Sequence, residues 1–506
     1  MSDDAPRQTT DTPSAEPVPE WRPPVPPKKA QRGASPQVEK AISDVRSKIY
    51  PRSVTGIFAN WRIIMVYFTQ IIFYGLPWLQ WNGRQAVLFD LGARKFYLFG
   101  MVLWPQDVIY LAVLLIISAF SLFLFTAIAG RLFCGYACPQ TVYTEIFMWI
   151  ERKVEGDRVA RIRLDEAPWS AKKFRLKATK HTLWVLIALW TGFSFIGYFA
   201  PIRELGTAII TLSLGPWQWF WLFFYAFATW GNAGFLRESV CKYMCPYARF
   251  QSVMVDDDTF VVSYDHVRGE PRGGRSRKID HKEAGLGDCV NCSLCVQVCP
   301  TGIDIREGLQ YMCIGCGACV DVCDQVMDKM DYPRGLIRYT SGHAITERLT
   351  QPEARQRLMR PRIIVYILIL SVITVAAFYS LVSRNSIRMD IIQDRGVLGR
   401  EIPGGYFENI YRLQLMNSAE RPAKIKLDVD GLPYVTITTT DTSKDEIDIP
   451  AISNELVPVY IRIPVDAQLS QGMHDVIVTA TPLTPAGDVD PNGQKVVEKT
   501  NFYVPY

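Results

Sequence analysis

The chain has 506 residues, enough for more than one domain, and 55 Lys and Arg against 50 Asp and Glu leave a net charge of only +5. No basic face interleaved with aromatic residues accompanies that excess, so no nucleic-acid partner is expected. A Rossmann glycine fingerprint, a P-loop and a nucleophile elbow are all missing, which argues against hydride transfer on a nicotinamide within this chain.

Residues 1–40 hold nine prolines among charged and small residues, a composition that buries too little surface to fold and predicts a disordered cytoplasmic tail. The tail lacks the short apolar core and cleavage site of a signal peptide, so the first apolar segment is expected to be a retained anchor. Five windows approach the roughly 20 apolar residues that cross a bilayer: Ile63 to Trp81, Val108 to Ala129, Leu183 to Ala200, Pro216 to Phe235 and Ile363 to Val382. These predict a membrane protein with a five-helix transmembrane bundle, residues 41–260 holding the first four helices. Ten Lys and Arg between Arg152 and Lys180 place that segment in the cytoplasm, whereas the loops around Arg84 and Arg203 carry few. Five crossings then put the N-terminus inside and everything after Val382 outside.

Two CxxxCP pairs follow the second and fourth windows: Cys134 and Cys138 in RLFCGYACPQ, Cys241 and Cys245 in ESVCKYMCPYARF. Tyr136 and Tyr243 occupy the same place in each, so the two regions read as halves of an internal repeat, with a shared site between them. Pro139 and Pro246 suit the first position of a new helix, which makes Cys138 and Cys245 its N-caps. A thiol there faces unpaired amides and the positive helix end, which predicts a lowered pKa. Soft thiolates select Cu(I), zinc or iron–sulfur centres. The four are therefore a candidate copper or redox site, to which Met244 can add a thioether. Buried small apolar residues at helix ends are the plain alternative.

Residues 261–345 contain the other eight cysteines in two runs, CVNCSLCVQVCP from Cys289 and CIGCGACVDVCD from Cys313. In CxxCxxC one loop supplies three thiolates to a cubane and a distant cysteine supplies the fourth. Here the distant residue comes from the other run. Cys289, Cys292, Cys295 and Cys323 are thus expected to hold one [4Fe-4S] cluster, and Cys313, Cys316, Cys319 and Cys299 a second. Pro300 follows Cys299 as the motif expects, while Asp324 takes that place after Cys323. Zinc sites favour separated CxxC pairs, and a disulfide framework does not suit a cytosolic segment. The module reads as a cytoplasmic two-[4Fe-4S] ferredoxin-like domain.

Residues 346–384 are expected to form a linker and the fifth membrane helix. From 385 to 506 the texture changes to alternating runs such as NIYRLQLMN, AKIKLDVDG and PVYIRIP, predicting a periplasmic immunoglobulin-like β-sandwich. The chain has only five histidines, with no stacked membrane pair for haem; His181 reads as interfacial.

Taken together, the five helices, the two CxxxCP pairs, YDHVRGEPRG before the double cluster run and the exported sandwich resemble the FixG/RdxA/CcoG family over nearly the whole chain. The resemblance implies a cytochrome c oxidase accessory protein of the bacterial inner membrane. Its implied activity is reduction of Cu(II) to Cu(I) for assembly of a cbb3-type oxidase, with oxidase subunits or copper-delivery proteins as partners and an unknown electron donor. The motifs are also similar to those of quinol-dehydrogenase subunits of the NapH and NosR kind, which makes a quinol-linked electron conduit the first alternative. A non-catalytic copper chaperone or assembly scaffold is the second.

Overall fold

A computed structural model of the chain describes residues 48–277, 280, 282–349, 353, 356–357, 359–393, 399–439, 446–484, 488–490 and 493–505, so the tail expected over residues 1–40 lies outside the described residues. In chain order the helices that build the molecule are α1 (Ile57–Gly75), α2 (Val108–Ala129), α3 (Leu132–Tyr136), α4 (Pro139–Glu155), α5 (Arg158–Glu166), α6 (Ala171–Ile196), α7 (Pro216–Gly231), α8 (Pro246–Met254), α9 (Ala318–Met330) and α10 (Pro361–Val382).

Among the described residues three helices, not five, are long and apolar enough to cross a membrane: α1 with its 3₁₀ continuation to Trp78, α2 with the turn before it, and α10. Their apolar surfaces are almost wholly unburied, as lipid-facing helices require. The other two expected spans fall on α6 and α7, and each falls short for a local reason. The first turns of α6 carry Lys172, Lys173, Arg175, Lys177 and Lys180, so its apolar part begins only after Lys180. Helix α7 has 16 residues, about 24 Å at 1.5 Å per residue, and then loosens into a π-helical turn over Asn232–Leu236. The two pack closely: a Cβ on Gly192 would lie 2.5 Å from the Leu222 carbonyl, so glycine sets their approach.

Several of the basic residues between α4 and α6 are consumed internally. Glu151 and Glu155 of α4 are buried, and they meet Arg161 (3.1 Å to Glu151), Lys180 (3.4 Å to Glu151, 3.0 Å to Glu155), Lys177 (2.9 Å to Glu155) and Arg237 (3.0 Å to Glu151). This network ties α4, α5 and α6 together. Fewer free cations therefore face a headgroup layer than the sequence count implies.

The three long helices hold two different domains at their opposite ends. At one end Asp321 of α9 accepts hydrogen bonds from the Phe58 amide (3.2 Å) and the Ala59 amide (2.8 Å), capping α1. There also Phe260 N donates to Ile128 O (3.0 Å) at the close of α2, and Arg360, which precedes α10, pairs with Asp256 (2.5 Å). At the other end Asp107, just before α2, is buried between Arg384 (2.6 Å) and Arg388 (2.7 Å), which follow α10. Lys95 donates to Ile452 O (2.8 Å) and Arg84 pairs with Glu420 (2.7 Å), seating the C-terminal domain on the segment between α1 and α2.

That segment is a three-stranded meander of β1 (Val87–Asp90), β2 (Lys95–Leu98) and β3 (Met101–Leu103). The cysteine-rich module is framed by the antiparallel pair β4 (Val261–Tyr264) and β5 (Ile337–Thr340). The C-terminal domain is a sandwich of β6 (Ile387–Gln393), β7 (Arg400–Ile402), β8 (Tyr406–Asn417), β9 (Ala423–Asp430), β10 (Thr436–Thr439), β11 (Glu446–Ile449), β12 (Ser453–Pro464), β13 (Gly472–Leu483) and β14 (Val496–Val504). One sheet runs β10-β12-β8-β6 with β7 beside β8, the other β11-β9-β13-β14. Alternate residues such as Leu413, Leu415, Ile425, Leu427, Ile461, Val478 and Phe502 meet in its core.

Candidate redox site

The fold of the cysteine runs follows from where the chain turns left-handed. In the first run the residues either side of Cys292, Asn291 (φ 52°) and Ser293 (φ 58°), take positive φ. In the second the same places around Cys316 are Gly315 (φ 63°) and Gly317 (φ 71°). Both loops therefore curl alike, and glycine stands where the second is most crowded: a Cβ on Gly317 would lie 2.7 Å from the Phe58 ring. The second loop leads into α9, which carries Cys323 four residues beyond Cys319; the first leads into a single helical turn, Leu294–Gln297, and Cys299 follows that turn, four residues beyond Cys295.

That geometry crosses the runs. One cavity is lined by Cys289, Cys292, Cys295 and Cys323, with Arg306, Leu336 and Ile337 in its wall. A second is lined by Cys313, Cys316, Cys319 and Cys299, with Cys295, Val262 and Ile303 beside them. The donor sets fit two cubanes, each with four thiols around a mainly apolar space. Burial pushes the Cys295 thiol up to about 11 and the Cys323 and Cys313 thiols to about 12, and lifts Cys319 well above its usual value. Thiolates in such walls need bound cations to offset them. Cys292 is exposed, so the first site meets solvent, whereas Cys316 is buried.

The second cavity faces the membrane helices. Cys134, on α3, packs against the buried cluster that contains Ile314 and Cys316. A Cβ on Gly135 would lie 2.8 Å from Ile314 O and 2.9 Å from Gly315 O, so α3 touches the cluster loop backbone to backbone. Tyr136 Oη donates to Cys316 O (3.4 Å). Arg131 Nη1 donates to Cys313 O (3.4 Å), and its Nη2 to Ala248 O (2.5 Å).

Cys138 and Cys245 do stand at the N-caps of α4 and α8, with Pro139 and Pro246 as first helical residues. The two pairs also lie close enough to interact: the charge of Cys134 is felt against Cys138, Cys241 and Cys245, and that of Cys241 against Cys138 and Cys245. The Cys134 thiol donates to Gln251 Oε1 (3.3 Å) on α8, bridging the halves. The lowering of the thiol pKa expected at the N-caps is overturned at Cys138. Burial pushes Cys134 up to about 12 and Cys241 to about 11, and raises Cys138 despite amide hydrogen bonds from Gln140 and Thr141. Desolvation of the thiolate outweighs two amides. The halves also differ: α3 is α-helical, while Cys241 lies in a π-helical turn, Val240–Met244. Met244 is 62% exposed and Tyr243 54%, so the thioether and the second tyrosine face outward, unlike Tyr136. Among the described residues no three His, Cys, Asp or Glu side chains gather closely enough to read as a site for a single ion.

Arg131, Gln251 and Asp321 escaped the sequence reading. Arg131 stands three residues before Cys134, but no spacing rule marks it. Gln251 and Asp321 act through contacts with residues more than 100 positions away.

Comparison with known proteins agrees with this layout. A "4Fe-4S dicluster domain" model matches residues 236–342, a "4Fe-4S binding domain" model residues 111–156, and the model of the "IG-like fold at C-terminal of FixG" residues 377–505. Protein RdxA of Cereibacter sphaeroides is 38% identical over 429 residues, 83% of this chain and 90% of that protein. Nitrogen fixation protein FixG of Rhizobium meliloti is 35% identical over 464 residues, covering 85% and 88%. Ferredoxin-type protein NapH of Haemophilus influenzae is 25% identical over 200 residues, covering 39% and 57%. With its crossed cysteine cavities, apolar helices and C-terminal sandwich, the chain belongs to the RdxA/FixG family and is an iron–sulfur electron-transfer membrane protein.

Proposed function

We propose that the protein is a cupric reductase of the bacterial inner membrane that supplies Cu(I) for assembly of a cbb3-type cytochrome c oxidase. The observation that carries this reading is the seating of α3 on the loop from Cys313 to Cys316, which puts Cys134 against the second cluster cavity and beside Cys138, Cys241 and Cys245. When bound, two cubanes would supply single electrons, matching the one-electron step from Cu(II) to Cu(I). The four thiols, which among the described residues do not gather as a single-ion site without metal, would close on copper, because soft sulfur favours the reduced ion. The raised proton affinity of Cys134, Cys138 and Cys241 means that copper displaces protons on binding.

The direction of flow follows from exposure. Cys292 opens the first site to a donor, and the second site hands electrons inward. Three membrane crossings, by α1, α2 and α10, keep the cluster module cytoplasmic beside the basic segment and the sandwich periplasmic. The sandwich is the face that meets oxidase subunits or copper-delivery proteins.

A second reading is favoured by the match of a 4Fe-4S model to residues 111–156, which include Cys134 and Cys138. The four thiols would then hold a third cluster in an electron conduit resembling NapH. Metal analysis of anaerobically purified protein, with and without Cys134→Ser and Cys241→Ser, decides between them. Two cubanes of iron in both forms, with Cu(I) retained only by the wild type, support the cupric reductase; iron for three cubanes that falls to two in the variants overturns it.

A further inference from the structure

We propose that Arg131 is the fixed counter-charge shared by the second cluster site and the four membrane-side thiols, a positioning residue that makes each more easily charged negatively. The inference rests on the reading of the thiols as the electron acceptor site, but its first test does not involve copper.

Arg131 is a buried guanidinium, 9% exposed. Its hydrogen bonds go to two backbone carbonyls, Cys313 O and Ala248 O, and among the described residues it forms no ion pair with a carboxylate. A charge held out of water without a partner is costly, so buried cations in stable proteins face an anion. What Arg131 faces is sulfur. Its hydrogen bond to the Cys313 carbonyl sets the guanidinium against the second cluster loop, and it lies near Cys134 and Cys241 of the two CxxxCP pairs. The other guanidinium near this cluster site, Arg62, acts on Cys316 but pairs with Glu145 (3.6 Å), so much of its charge is already offset. Arg131 alone sits between the two sulfur sites with its charge uncompensated among the described residues.

A four-thiolate cubane gains a negative charge on reduction, and Cu(I) held by thiolates leaves an anionic site. A fixed cation between them stabilises the electron on either side and lowers the cost of moving it across. The guanidinium cannot lose its proton, so the bias is permanent. The Arg131 backbone neighbours the cluster loop: a Cβ added to Gly315 would lie in ordinary contact, 3.5 Å from the Arg131 carbonyl.

The test compares Arg131→Gln, which removes the charge, with Arg131→Lys, which keeps it, in the full chain in detergent. An electron-paramagnetic-resonance redox titration of copper-free protein reads both cluster potentials. Competition with a chromophoric chelator reads Cu(I) affinity. The expected result is at least a tenfold loss in the reduction constant of one cluster in Arg131→Gln, about 59 mV for a one-electron couple, with the other cluster moved much less and Arg131→Lys close to wild type. Loss of the cluster in Arg131→Gln but its retention in Arg131→Lys also supports the charge. Equal effects in both variants, including loss of the cluster in both, or no shift in either, would overturn the proposal and leave Arg131 as a hydrogen-bonding strut. Weakened Cu(I) binding in Arg131→Gln extends the counter-charge to the thiols. An unchanged potential overturns the inference even if copper reduction is intact, and absence of copper reduction with a shifted potential overturns only the functional reading.

Discussion

Gly135→Ala is the smallest change that separates the thiol helix from the cluster loop. The added methyl would lie 2.8 Å from Ile314 O, 2.9 Å from Gly315 O and 3.1 Å from Cys316 Cα. Ordinary contacts of this kind need about 3.5 Å, so α3 and the loop must part by about 0.5 Å. All three atoms are backbone, and the loop is held by left-handed residues on both sides of Cys316, so it cannot yield by turning a rotamer. Overpacking of this sort costs about 1–3 kcal/mol. Thermal unfolding in detergent should show that loss, and the wider gap should slow electron transfer from the second cluster site. Gly231→Ala is the control, since nothing lies within 4 Å of its added carbon. It should leave stability unchanged or slightly raised. A Gly135→Ala protein as stable as wild type, with equal transfer rates, would refute the backbone contact.

Asp321→Ala removes the acceptor for the buried α1 amides of Phe58 and Ala59, and should cost about 1–3 kcal/mol in chemical denaturation; the cluster spectra should persist at low denaturant. Cys323→Ser should remove the signal of the cluster assigned to Cys289, Cys292 and Cys295 while sparing the other, because the runs are crossed; loss of the signal assigned to the second run instead would reverse the assignment. Burial alone would raise the Glu408 carboxyl, but hydrogen bonds from Arg400 (2.6 Å) and Arg462 (2.7 Å) hold it below its usual value. Its stabilisation is therefore complete above about pH 4.3, the ordinary value of a free glutamate, and is lost as pH falls through the lower folded value. Hydrogen exchange in β8 and β12 should accelerate on acidification through that window, and Glu408→Gln should flatten the response.

Local rules read much of this molecule directly. The cysteine spacing carries the crossed cavities, because Cys323 stands one turn beyond Cys319 on α9 and Cys299 follows the helical turn that holds Cys295. Proline after cysteine marks the N-caps at Cys138 and Cys245, and strand alternation marks the sandwich. What escaped depends on partners distant in sequence. The ten cations from Arg152 to Lys180 look alike in a linear count, but Arg161 and Lys180 are spent on Glu151. A helix N-terminus suggests reactive thiolates, but depth of burial decides their proton affinity, and depth is a property of the fold. The spans over α6 and α7 were misjudged because hydropathy windows do not see where lysines start a helix or where a π-turn ends one.

The central claim is that electrons stored in the clusters reach copper through the α3 contact. Freeze-quench electron paramagnetic resonance tests it most directly: dithionite-reduced protein, freed of reductant, is mixed with Cu(II) and frozen at successive times. The account predicts that the Cu(II) signal disappears in step with oxidation of the clusters, and that both changes are abolished in a Cys134→Ser, Cys138→Ser variant whose clusters still reduce. Clusters that stay reduced beside an undiminished Cu(II) signal in the wild type would contradict it.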